Sequence, residues 1–101
     1  MKSNTKGQTI KPQTIDQVLA ERKTTHGEFS ENAQIAQDLK YVVRASSGYI
    51  SLSPDKKEAL DMILHKCARI CTGNANEVDH WRDIGGYSKL AQDRCSTQVG
   101  P

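Results

Sequence analysis

Apolar residues recur at three- and four-residue spacings in separate stretches of the chain, a pattern that predicts helices. Thr14, followed three places on by Gln17, reads as a capping box opening a first helix, with Ile15, Val18 and Leu19 as its apolar patch and an end near Arg22. Gly27, in the connecting KTTHGEF, permits a turn, and Ser30 is the expected cap of a second helix running to about Ala45. On a 3.6-residue wheel Ala33, Ala36, Leu39 and Val43 share one stripe, with Phe29 just ahead of it and Asn32 within it. The third helix has the clearest start: Ser53 as cap, Pro54 at the first helical position and Asp55 at the positive helix end. Its stripe is Leu60, Ile63, Leu64, Cys67 and Cys71, and Gly73 supplies the terminator. A fourth helix is expected from Glu77 or Val78 to about Cys95, burying Trp81, Ile84, Tyr87, Ala91 and Cys95, with His80 on the same face. Gly85 and Gly86 inside it each cost roughly 1 kcal/mol relative to Ala, which calls for close helix packing or the approach of a ligand.

The expected architecture is therefore all-α: a small antiparallel bundle of about four helices, forming a single domain over residues 14–95 between flexible tails at 1–13 and 96–101. Ile, Leu, Val and Phe number only 7, 6, 5 and 1 in 101 residues, so the core must be modest. Self-association into a dimer or larger assembly is the expected remedy. Lys and Arg total 14 against 12 Asp and Glu, a net charge of +2 that gives no electrostatic reason to expect DNA, RNA or an anionic membrane as partner. No stretch approaches the ~18 apolar residues of a membrane span, and the polar MKSNTKGQTIKPQT lacks the apolar core of a signal peptide. The expected location is the cytoplasm.

Cys67 and Cys71 fall one turn apart on one helix, which suits two buried thiols better than a disulfide framework. A zinc set of Cys67, Cys71, His80 and Cys95 can be written down, but no CxxC pair or HxxxH supports it against core packing. Asn32 on an apolar stripe must hydrogen-bond a backbone group or a ligand, since an unpartnered buried amide costs free energy. Lys66 and Arg69 flank the third stripe as solvated cations or as phosphate contacts. Asp83, at the edge of the fourth apolar face, must be paired, bound to a cation or turned to water.

Three ordered blocks, HGEFSEN at His26 to Asn32, KCARICTG at Lys66 to Gly73 and DHWRDIGGYSKLA at Asp79 to Ala91, resemble a family of small phage and prophage proteins. That family carries a tyrosine or histidine before Gly, an acidic residue and Phe, then K-x-x-R-I, then W-x-D-x-x-G-Y, and the match spans roughly residues 15 to 93. The family in turn looks distantly similar to MazG-like all-α nucleoside triphosphate pyrophosphatases, which hold magnesium on helical carboxylates. The resemblance implies a nucleotide or cyclic-nucleotide ligand, with His26, Asn32, Lys66, Arg69 and Tyr87 as its contacts and Glu28 and Asp83 as holders of Mg²⁺. It implies either an active or degenerate pyrophosphohydrolase or a protein that sequesters a nucleotide signal. The Asp79 and Asp83 pair departs from the three-residue Glu-x-x-Asp spacing of those enzymes, which counts against hydrolysis but not against binding. Asp83 paired with Lys66 or Arg69 as a purely structural tie is the competing expectation. A second class is a protein-interaction module that docks on a host protein through exposed Tyr41, Val42, Tyr49 and Ile50. A nucleic-acid accessory protein is disfavoured by the charge balance.

Overall fold

The computed structural model describes residues 12–95, so the expected C-terminal tail and all but Pro12 and Gln13 of the N-terminal one lie outside the described residues. Four helices, α1 (Ile15–His26), α2 (Phe29–Arg44), α3 (Pro54–Thr72) and α4 (Val78–Asp93), form a small all-α bundle, with a 3-10 turn at Tyr49–Ser51 between α2 and α3. None of the described helices is long and apolar enough to cross a membrane.

The capping box at Thr14 is present, with the hydroxyl accepting from Gln17 N–H at 3.1 Å and the Gln17 side chain accepting from Thr14 N–H at 2.8 Å. The first helix runs one turn beyond the expected end at Arg22. Nothing in Lys-Thr-Thr-His breaks it, because the hydroxyls of Thr24 and Thr25 bond back to the carbonyls of Glu21 and Arg22. Gly27, at φ 86°, stops it. The cap of α2 is Glu28 and not Ser30: its carboxylate accepts from Ser30 N–H at 2.9 Å and Glu31 N–H at 3.4 Å, and from the Ser30 hydroxyl as well. Ser53 precedes α3 as expected, but its hydroxyl turns to Asp55 and not to a backbone N–H. The 3-10 turn, unforeseen in the sequence, is tied to α3 where Asp61 accepts from Tyr49 Oη at 3.2 Å and from Arg44 at 2.8 Å.

The longest helix, α3, is the hub, and α2 and α4 pack chiefly on it and not on each other. Both run antiparallel to it; Arg94 after α4 reaches Asp55 at the start of α3 at 3.3 Å. Among the described residues the buried apolar side chains are Ala36, Ala59 and Ala68, with Leu60, Ile63, Leu64 and Ile84 half-buried. Asn32, Lys66 and His80 are buried beside them.

Several side chains expected inside are not. Trp81 is 56% exposed, its indole N–H anchored on the Ala75 carbonyl at 2.7 Å; Cys71 and Cys95 are exposed, and only Cys67 of the two expected buried thiols is partly covered. Phe29 is 81% exposed. A methyl group at Gly85 or Gly86 would meet no atom within 4 Å, so the close packing expected there does not occur within the chain.

The glycines thus divide into two kinds. A Cβ at Gly27 would lie 2.4 Å from the Thr72 carbonyl oxygen in a backbone conformation that L side chains rarely adopt. Gly27→Ala is expected to lower unfolding free energy by about 2 kcal/mol or more. Gly86→Ala, in an exposed helix interior, is expected to raise it by about 1 kcal/mol. Urea denaturation of the two variants checks both signs.

Candidate functional site

The end of α1 is where the helices meet. The Thr25 carbonyl accepts from Asn74 N–H at 3.1 Å and from His80 Nε2 at 2.8 Å, which places a proton on that ring nitrogen. The next carbonyl, of His26, accepts from Asn32 Nδ2 at 2.8 Å and lies 3.1 Å from the Thr72 hydroxyl. Donors from α2, α3, α4 and the turn before α4 therefore converge on two adjacent carbonyls. The approach is close enough to require Gly27 and Gly73, since a Cβ on Gly73 would lie 2.4 Å from the Thr25 carbonyl oxygen.

Beside this junction a cleft of about 520 Å³ opens between α1, the start of α2 and α3, lined by Leu19, Arg22, Lys23, His26, Glu28, Phe29, Asn32, His65 and Arg69. Spacing of four residues sets Arg22 above His26 on α1, and His65 above Arg69 on α3. Two ladders of one arginine and one histidine thus border the same space. Burial, then the Arg22 charge, pulls the half-buried Arg69 guanidinium below its ordinary value. Burial, followed by the charges of Arg69, His80, Lys66 and Arg22, pushes His26 down to about 4. His65 is lowered by burial and then by Arg69, Lys40 and Lys66. Both imidazoles in the cleft are therefore neutral near pH 7, and Arg22, Lys23 and Arg69 carry its positive charge.

Of the residues expected to contact a ligand, the structure brings His26, Asn32 and Arg69 to this cleft, together with Glu28. Lys66 and Asp83 are paired with each other at 2.8 Å across the α3/α4 seam, the structural tie foreseen as the alternative, with Lys66 itself buried. The Lys66 ammonium holds the Asp83 carboxyl below the usual carboxylate range. Tyr87 lies half-buried on α4, away from the residues lining the cleft. Arg22, Lys23 and His65 escaped the sequence reading. The signal for the first two was the extra helical turn after Arg22, and for His65 its position one turn before Arg69.

The two carboxylates expected to hold Mg²⁺ each have a protein partner and stand in different places, Glu28 in the cleft lining and Asp83 on the α3/α4 seam. Glu28 is committed to the N-terminus of α2 and Asp83 to Lys66, and among the described residues no group of three or more His, Cys, Asp or Glu is placed to hold a metal. The zinc set of Cys67, Cys71, His80 and Cys95 is likewise not assembled. Compared with protein-family models, with curated proteins and with solved structures, the chain shows no match.

The depressed histidine has a consequence for stability. An unfolded His26 binds its proton near 6.5 and the folded one only near 4, so between those values the unfolded chain holds more protons. Stability then rises with pH across that window and its contribution is lost as pH falls through it. The urea midpoint is expected to drop between pH 7 and pH 4.5, and His26→Gln to remove much of that drop, leaving the part due to His65. An equal drop in the variant would overturn the assignment.

Proposed function

We propose that this protein binds a nucleotide or nucleotide-derived ligand in the cleft between α1, α2 and α3, and acts by sequestering it. The observation that carries this reading is the grouping of Arg22, Lys23 and Arg69, none of them in an ion pair among the described residues, around a cleft whose rim also offers the exposed ring of Phe29. Unpaired cations in a concave, partly dry site are a recognition surface for phosphate, and an aromatic face beside them suits a base. Binding is favoured over hydrolysis because Glu28 and Asp83 already have partners. The resemblance to small phage proteins supports a setting in which a nucleotide signal is withdrawn in the host cytoplasm. A thermal-shift screen against nucleoside mono-, di- and triphosphates and cyclic dinucleotides, with and without Mg²⁺, tests the reading. A stabilising ligand is expected, with affinity lost by about tenfold or more in Arg69→Ala. A flat screen overturns it.

A second reading concerns self-association. The fully buried apolar residues are alanines, while Ile15, Tyr41, Val42, Ile50 and Trp81 stand more than half exposed. Such a core needs further burial whenever the chain is folded, and a second copy is the one partner always present with it. Tyr41, Val42 and Ile50 supply part of the exposed set expected of an interaction module, whereas Tyr49 is turned to Asp61. Light scattering is expected to give a mass of at least two chains; a mass of one chain sinks this reading.

A further inference from the structure

Lys66 and Asp83 pair across the α3/α4 seam at 2.8 Å, and Arg44 of α2 and Asp61 of α3 pair at 2.8 Å. The seam between α1 and α3 has no such pair: the half-buried Arg69 has no carboxylate partner among the described residues. Arg22 and Lys23 from α1 and Arg69 from α3 line one cleft with Glu28 as the sole carboxylate in its lining, and one oxygen of that carboxylate already accepts two backbone N–H groups and the Ser30 hydroxyl. Three permanent cations against one carboxylate leave two positive charges unbalanced. The flanking histidines add none near neutral pH.

The helix that brings two of those cations, Arg22 and Lys23, is also the least secured, for α1 has no buried residue and Ile15 and Leu19 on it are 77% and 56% exposed. Its attachment is concentrated at the Thr25 and His26 carbonyls. Like charges therefore face each other across a seam with little packing to hold it shut. An anion lying between Arg22 and Arg69 would relieve the repulsion and add the missing tie. Leu19 and Phe29 form an apolar wall on the same cleft, a platform for a flat ring. A volume of about 520 Å³ is within the range of sites that enclose one small ligand.

Resting on the nucleotide reading of the cleft, we infer that its ligand is a nucleoside monophosphate bound as the dianion without a divalent metal, its phosphate bridging Arg22 of α1 to Arg69 of α3 and fastening α1 to the bundle. Two negative charges match the imbalance in the lining. A triphosphate brings about four, and those beyond the match need Mg²⁺ and free carboxylates to hold it.

Isothermal titration of the full chain with the common nucleoside monophosphates, their triphosphates with Mg²⁺ or with chelator, ribose 5-phosphate and inorganic phosphate separates the outcomes. At least one monophosphate is expected to bind about tenfold or more tightly than its triphosphate, with no change on adding chelator. Arg22→Ala and Arg69→Ala are each expected to weaken it by about tenfold, and Phe29→Ala to weaken the nucleotide but not ribose 5-phosphate. Hydrogen exchange across α1 is expected to slow on binding. A triphosphate with Mg²⁺ binding more tightly than any monophosphate overturns this inference and leaves the nucleotide reading standing. Equal affinity for ribose 5-phosphate or inorganic phosphate removes the nucleoside from it. Tight monophosphate binding with α1 exchange unchanged overturns the bridging role, and no binding by any of these overturns this inference, the nucleotide reading falling with it only when the thermal-shift screen is flat as well.

Discussion

The fold depends on how two adjacent carbonyls at the end of α1 are satisfied. Helix ends leave such groups without partners, and here the carbonyls of Thr25 and His26 find theirs in other elements: His80 of α4, Asn32 of α2, Thr72 of α3 and the backbone of Asn74. Each bond contributes only about 1 kcal/mol net, but removing a donor leaves a covered acceptor with no partner and costs more. In a bundle whose buried apolar side chains, among the described residues, are all alanines, that asymmetry gives the helices one arrangement where hydrophobic packing alone would permit several. Gly27 and Gly73 are the steric condition for the contact, because a side chain on either would strike the opposing backbone.

The buried polar residues find their explanation in the same junction. His80 and Asn32 each use a side-chain nitrogen to seal it, so their positions on otherwise apolar stripes are structural at the atoms that face α1. The His26 ring lies 5.0 Å from that of His80, tilted against it, with its Nδ1 3.3 Å from the Thr25 hydroxyl, at the edge of the cleft. What fixes the end of α1 thus also fixes Arg22 one turn before it, and with it one side of the cationic seam. Scaffold and candidate site share His26, Gly27 and Asn32.

The four helices were legible in the sequence because their signals are local. The Thr14 box, Pro54 after Ser53 and the two stripes built on Ala36 and Ile63 each depend on residues within a few positions of one another. What was not legible depended on distance. The buried or exposed state of Trp81 turns on whether another helix covers its side of α4, and the covered side of α4 is the one that carries His80, Ile84 and Tyr87. Lys66 reads as a solvated cation until α4 is seen to deliver Asp83 to it. The cleft was half legible: His26, Glu28, Asn32 and Arg69 stood out by motif, but Arg22, Lys23 and His65 become part of a site only when α1 is carried one turn further and laid across α3.

A small bundle with so little buried apolar surface is sensitive to what binds it. Folding free energies are a small remainder between large terms, so a ligand that occupies the native cleft at a hundredfold excess over its dissociation constant adds about 2.7 kcal/mol, a sizeable share of the stability of a domain this size. Enzymes that turn over a substrate hold it briefly and gain nothing lasting from such a tie. A protein that keeps its ligand does gain, and the more its own packing leaves undone at the seam, the larger the part the ligand plays in holding the helices together. On the proposed reading, the exposed Ile15 and Leu19 of α1 and the unbalanced charge between Arg22 and Arg69 have one explanation, a ligand that completes the fold.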